Sequence, residues 1–284
     1  MITGKVAITG ASGQVGRALL SRLAVHPVHT VALVRAPVTL RASEVIAGPF
    51  DSPQASAALK DADLVVHLAG TLWPVGDNSY EEAILRTSEA VADAAGSGKA
   101  RRLVILSAVG ADEESNNVYL RYRAAAERTL TATRKDAVIL RTTYLCGTPA
   151  HPGSQASALM TEGRPADVVG DGRQSVAPVY VGDVAAALES AMTRGQYGTY
   201  ELAGPDRMCM DEFVRLLNQT QDLPLRHRCG FAARLVAMAL HGFPGPMIDL
   251  LHRDYVGNPS RAVQTFGLAL TSLRSVWPGL LQAH

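Results

Sequence analysis

The stretch Lys5-Val-Ala-Ile-Thr-Gly-Ala-Ser-Gly-Gln-Val-Gly16 constrains this chain more than any other. A short apolar run breaks at Gly10 and resumes with helical spacing after Gly13, so a strand is expected to turn directly into a helix. The glycines at 10, 13 and 16 follow the spacing G-x-x-G-x-x-G. Such a turn aims free backbone N–H groups and the positive helix end at one point, where a pyrophosphate fits. Gly10 permits the tight turn, Gly13 the close approach of phosphate, and Gly16 the close packing of helix on strand. Ser12, Gln14 and Val15 complete that cradle. The motif predicts a first βα unit of an α/β chain with a dinucleotide at its crevice.

The remaining chain repeats that alternation. After a helix over about Gln14 to Val25, Val28–Arg35 reads as a second strand. Its last residue bears on the choice of nucleotide. An acidic side chain there would bond the adenosine ribose of NAD, whereas Arg35 offers a cation matched to a 2′-phosphate, which favours NADP(H) over NAD(H). Glu44–Gly48 is a third strand, and Phe50 and Asp51 either flank the adenine or, for Phe50, fill the core. Ser52-Pro53 marks a helix start. Asp63–Gly70 is a nearly continuous apolar fourth strand, as in a parallel sheet covered on both faces. Its Ala69-Gly70 end brings bare backbone toward the cofactor, and His67 inside it reads as a core histidine.

Ser79 to Gly96 carries a helical pattern, and Arg102–Ser107 is a fifth strand. Ligands in open α/β sheets sit beyond the carboxyl ends of strands, so Ser107 shares the crevice of Gly10. In the helix that begins near Val118, Tyr119 and Arg123 are four apart and share a face, with Tyr122 on a different one. A phenol holds its proton unless a nearby cation stabilises the phenolate. Arg123 supplies such a cation and can hold ribose hydroxyls. Ser107 then orients a substrate carbonyl while Tyr119 donates the proton. The bland alternative is an amphipathic helix with a half-packed tyrosine. Ala137–Arg141 is a sixth strand, and Thr142, Tyr144 and their neighbours through Gly147 line the nicotinamide half. Cys146 reads as structural, with no base nearby for thiol chemistry.

From Pro149 onward prolines and glycines mark a loop-rich lobe of short elements. Pro178–Ala187 returns from a strand to a helix with Asp183 as candidate cap, Tyr200 begins another strand, and Met210 another helix. The expected division is a dinucleotide-binding core over 1–145 and a mainly substrate-binding lobe over 146–284, with about 176–200 returning to the core. Tyr144, Phe231, Met238, Phe243 and Met247 would suit a nonpolar ligand or plain core; Arg173 and Arg207 could contribute to a sugar-nucleotide site.

Composition limits the alternatives. A net charge of +1 without a basic run argues against nucleic acid. Scattered Cys146, Cys209 and Cys229 indicate neither a disulfide framework nor a metal site. The most apolar later segment, 230–243, is interrupted by Arg234 and too short to span a bilayer. A cytoplasmic protein with a small-molecule substrate is expected.

In their order, Thr9–Gly16, Val66–Gly70, Ser107, Tyr119-x-x-x-Arg123, Pro178–Ala185 and Gly198–Pro205 resemble the short-chain dehydrogenase/reductase superfamily in its extended-to-atypical branch. The nearest likeness is to the NAD(P)H-binding group with isoflavone-reductase-like enzymes and the complex I accessory subunit. The resemblance implies a Rossmann-type doubly wound parallel sheet, a smaller C-terminal substrate lobe, and an NADP(H)-dependent oxidoreductase that reduces a carbonyl or activated alkene. A homodimer is common in that superfamily. Arg123 stands where the family has lysine, and Thr142 where it often has proline. The lysine change keeps two other functions open: a redox-inert nucleotide-binding sensor or assembly protein, and an epimerase or lyase that reuses bound cofactor.

Overall fold

The computed structural model describes residues 2–74, 79–133, 136–148, 151, 156, 159–161, 164–228 and 244–282. The strands in chain order are β1 (Gly4–Thr9), β2 (Val28–Val34), β3 (Glu44–Ala47), β4 (Leu64–His67), β5 (Arg102–Ala108) and β6 (Val138–Thr142). Short strands follow: β7 (Leu145–Cys146), β8 (Ala166–Val169), β9 (Ser175–Val176), β10 (Val179–Tyr180), β11 (Gly198–Leu202), β12 (Met208–Cys209) and β13 (Leu225–Arg228). Helices α1 (Gln14–Leu23), α2 (Pro53–Asp61), α3 (Thr87–Ser97) and α4 (Val118–Thr133) lie between the first six strands. Beyond them come α5 (Val181–Ala191), α6 (Met210–Asn218), α7 (Gly245–Leu251), α8 (Ser260–Phe266) and α9 (Leu273–Gln282).

Seven strands form one parallel sheet in the order β3-β2-β1-β4-β5-β6-β11. Period-two alternation divides their side chains between two layers. Val6, Ile8, Val66, Val104 and Leu140 pack against Leu19, Leu20 and Leu23 of α1 and Val184 and Leu188 of α5. Ala7, Leu33, Val65, Leu103 and Ile105 pack against Leu59 of α2, Val91 of α3 and Leu130 of α4. A third cluster joins α4 to α6, α7 and α9 through Tyr119, Tyr144, Phe213, Met247 and Trp277.

Three local readings are refined. Phe50 is buried in the layer with Leu33 and Leu59, the core place that the sequence left open for it. Asp183 does not cap its helix: α5 begins after Tyr180 without a side-chain cap, and Asp183 accepts hydrogen bonds from Thr271 N and Oγ1 at 2.7 and 2.8 Å. That pair anchors the chain leading into α9. The helix expected from Ser79 opens as a π-helical segment, Glu81–Arg86, before α3 continues to the cap at Gly98. Thr87 and Ser88 donate to carbonyls of that segment, at 3.0 and 2.6 Å from Ile84 O.

Ser88 also explains His67. Its hydrogen is committed to Ile84 O, so Ser88 Oγ accepts from His67 Nε2 at 3.0 Å, and Thr9 Oγ1 meets His67 Nδ1 at 2.8 Å. The ring is therefore a neutral core imidazole. Burial, with the Arg123 charge adding to it, lowers its pKa from 6.5 to about 3. The unfolded chain takes up this proton below the ordinary histidine pKa while the folded chain refuses it. The contribution is therefore complete at neutral pH and lost as pH falls through the window from 6.5 to about 3. His67→Gln should flatten the acid side of the stability curve by up to about 1.4 kcal/mol per pH unit. Denaturant melts at successive pH values would measure this; parallel curves for both proteins would contradict it.

Candidate active site

The chain leaves β1 and β4, neighbours in the sheet, toward opposite edges, and the crevice at their carboxyl ends is the switch point of the sheet. Gly10 there has φ +67°, and a Cβ on it would lie 2.8 Å from Ala69 N. A Cβ on Gly16 would lie 2.6 Å from the Ala11 backbone, so this glycine sets the packing distance between α1 and the turn. Gly13 differs: a Cβ there would meet only Gly10 O, at 3.3 Å, which leaves its outer side open. Gly13 is also the N-cap of α1, with no side-chain cap and no acid in the first turn. The first-turn N–H groups thus keep their capacity for an anion. This cradle fits a dinucleotide diphosphate.

Around it, Val15 buries its side chain in the core, and Gln14 Oε1 is buried without a partner. Ser12 presents its carbonyl, which accepts from Arg17 Nε at 3.0 Å and His151 Nε2 at 3.2 Å. Arg35 follows β2 exposed, as does Asp51 beyond β3.

The second half of the crevice is gathered by one side chain. Arg123 donates from Nη1 to Leu106 O at 3.4 Å and Ala69 O at 3.5 Å, and from Nε to Tyr119 Oη at 3.3 Å. Its guanidinium lies against Gly70, whose φ is +137° and where a Cβ would sit 2.6 Å from Nη2. A side chain at 70 would evict it. Ser107, Tyr119 and Arg123 are 4%, 6% and 8% exposed. Ser107 Oγ has no partner, while its own carbonyl accepts from Thr142 Oγ1 at 3.3 Å. The structure therefore brings together Ala69, Gly70, Ser107, Tyr119, Arg123 and Thr142, as their order in the sequence suggests. Tyr122 is half-buried against the α6–α7 cluster instead.

Aromatic rings close the site. Tyr80 stands 6.0 Å from the Tyr119 ring and donates to Leu72 O at 2.9 Å. Tyr144 stacks on Phe213 at 6.1 Å and meets the Tyr255 ring edge-on at 4.9 Å. Tyr255 Oη donates to Thr142 O at 3.3 Å, whereas the Tyr144 hydroxyl has no partner. Burial pushes both phenols well above their ordinary range, so they stay protonated. Burial likewise raises Cys146 and keeps its thiol inert.

Two residues were missed by the sequence reading. Asn117 Oδ1 accepts from Leu120 N at 3.3 Å, which makes it the cap of α4, and its Nδ2 donates to Pro246 O at 2.8 Å. An asparagine just before a helix carries that signal. His151 Nε2 reaches Ser12 O from 139 residues away in sequence, a pairing that no local pattern marks. Cys229, Arg234, Phe231, Met238 and Phe243 lie outside the described residues. Arg173 and Arg207 are exposed.

The sequence pattern of the NAD dependent epimerase/dehydratase family matches residues 6–203. The chain belongs to that family. Its cofactor is a nicotinamide dinucleotide, and the sheet and helices are those of an extended short-chain dehydrogenase/reductase. Among named relatives, the chain is 30% identical over 173 residues to the mitochondrial NADH dehydrogenase [ubiquinone] 1 alpha subcomplex subunit 9 of Arabidopsis thaliana, covering 60% of this chain and 43% of that protein. It is 24% identical over 228 residues to the mitochondrial NADH-ubiquinone oxidoreductase 40 kDa subunit of Neurospora crassa, covering 75% of this chain and 59% of that one. The chain thus spans about half the length of these relatives. The fold is similar to that of UDP-glucuronic acid 4-epimerase from Bacillus cereus in complex with UDP-glucuronic acid and NAD, with TM-score 0.77, 17% identity and coverage of 99% and 100%. MoeE5 in complex with UDP-glucose and NAD gives TM-score 0.77 at 20% identity, covering 98% of each chain. Among the described residues no helix is long and apolar enough to cross a membrane.

An unpartnered buried hydroxyl carries a desolvation cost with no return in the free protein. Ser107→Ala should therefore melt at or above the wild-type temperature. A loss greater than about 1 kcal/mol in chemical denaturation would mean that the hydroxyl has a partner.

Proposed function

We propose that this family member is an NADP(H)-dependent oxidoreductase that reduces the carbonyl or activated alkene of a small molecule. The observation that carries the reading is Ser107 Oγ, buried and unpartnered at the end of β5 in the crevice that also holds Tyr119. A bound nicotinamide supplies the hydride. Ser107 donates a hydrogen bond to the substrate oxygen, and Tyr119 Oη transfers its proton to that oxygen as charge develops. Arg123, whose Nε reaches Tyr119 Oη at 3.3 Å, stabilises the phenolate left behind, and water restores its proton. For an alkene, the same donors hold the activating carbonyl. Ala69, Gly70, Thr142 and Tyr144 border the nicotinamide half, and Arg35 binds the 2′-phosphate.

Two other readings have specific support. The Arg123 donors turn inward onto Ala69 O and Leu106 O, where the family's lysine would offer its ammonium to ribose; this favours a redox-inert nucleotide-binding protein. The likeness to complex I subunits points the same way. The family match and the solved structures it resembles favour an epimerase that returns the hydride to its own substrate.

Nicotinamide fluorescence titrations and a panel of carbonyl substrates separate the three. For the reductase, Tyr119→Phe should abolish NADPH oxidation yet leave NADPH affinity within a factor of about two. Retained turnover in that variant would remove Tyr119 from the chemistry. Activity that appears only in Arg123→Lys would mark the wild type as redox-inert. Substrate isomerisation without net NADPH loss would mark an epimerase. Arg35→Ala should weaken NADPH about tenfold, the worth of one charge-assisted hydrogen bond, and leave NADH unchanged. Equal loss for both nucleotides would overturn the NADP assignment.

A further inference from the structure

Tyr144 stands two residues past Thr142, which pairs with Ala108 of β5, so Tyr144 and Ser107 lie at neighbouring strand ends. Its ring stacks on Phe213 of α6 and meets Tyr255 edge-on, yet its hydroxyl is buried without a partner. A phenol hydroxyl can donate as well as accept, so a ligand oxygen can satisfy it. Burial chiefly raises the Tyr255 phenol, and the Tyr119 and Tyr144 hydroxyls add to that shift, so Tyr255 senses both. The Tyr144 ring also forms one wall of a gap of about 220 Å³, part of it open to solvent. Leu145, Cys146, Phe213, Met247 and Leu251 are among its other walls. None of these is charged, and burial keeps the Cys146 thiol protonated. The gap is nowhere wide enough for water, so water does not satisfy the hydroxyl. Such walls would leave the polar groups of a nucleotide sugar without bonds. A hydrocarbon meets no such cost, and Met247, unbranched and adaptable, can give way to it.

We infer that Tyr144 binds the substrate and that the substrate is an aldehyde or ketone with a nonpolar body. Its oxygen takes hydrogen bonds from Ser107 and Tyr144, and its hydrocarbon lies between α6 and α7. The placement of that oxygen rests on the reductase reading above. A carbonyl oxygen has two lone pairs, which these two donors fill. When hydride adds to the carbon, the C=O π pair becomes a third lone pair on oxygen, and that pair takes the Tyr119 proton. Burial holds the Tyr144 proton in place, so Tyr144 remains a donor while Tyr119 gives its proton up.

The test uses the full chain loaded with NADP⁺, which cannot reduce a ketone, and measures by calorimetry the affinity of butan-2-one, hexan-2-one and octan-2-one. Each methylene should strengthen binding about fourfold, the worth of one CH₂ taken out of water. Tyr144→Phe should weaken all three about fivefold and leave the dependence on length unchanged. Met247→Phe and Leu251→Phe fill the gap from α7, so each should flatten that dependence while NADP⁺ binds as in the wild type. Wild-type affinity that does not rise with length would overturn the inference. So would a Tyr144→Phe protein that binds like the wild type, or a length dependence that survives both fillings. NADPH oxidation with the same ketones judges the reductase reading separately. Length-dependent binding with no NADPH consumed would remove that reading and leave the ligand class standing. NADPH consumed with the same kcat/KM for all three ketones would do the reverse.

Discussion

The guanidinium of Arg123 is the interaction on which the site depends. It is a buried cation whose recorded acceptors are neutral: two backbone carbonyls and a phenol oxygen. Among the described residues the charge is held by these dipoles and by the Tyr119 ring, 5.3 Å from Cζ, which demands that each be correctly aimed. Ala69 O comes from the end of β4, Leu106 O from β5, and Tyr119 from α4. The arginine therefore ties two strand ends to one helix. It also acts at a distance, since its charge helps to hold His67 neutral in the layer beneath. Gly70 completes the arrangement by leaving the volume that the guanidinium occupies.

Around that centre, polar groups divide into those already satisfied and those kept waiting. Thr142, Tyr255 and Tyr80 have acceptors and hold the frame. Ser107, Tyr144, Gln14 and His151 each carry a buried atom with none. Orphaned atoms are uncommon in a well-packed protein; among the described residues four of the five lie on segments that border the crevice, and the fifth, Arg215 Nε, is on α6. The distribution is that of a site whose bonds are completed by something other than the chain.

Much of this was legible beforehand, for identifiable reasons. β1, β4 and β5 are covered on both faces, so their apolar runs are continuous and unmistakable. Tyr119 and Arg123 meet because four residues make about one helical turn. Other features had no local signal. Phe50 follows a strand in a position where an aromatic serves a ligand or a core equally well. Asp183 reads as a cap, but its partner Thr271 lies 88 residues away. Strands of two residues, such as β7, β9, β10 and β12, are too short to show any period.

The π-helical segment Glu81–Arg86 has a consequence for how this part of the chain tolerates change. A π segment is an α-helix that has accommodated one extra residue, so its two ends are out of phase by about 100° relative to an uninterrupted helix. Tyr80 on one side faces Tyr119, and Ser88 on the other faces His67. Both alignments exist only because of that phase slip. A single-residue deletion here would shorten the helix and sever the ring over Tyr119 from the hydroxyl beneath His67. Length, more than side-chain identity, is what this segment contributes.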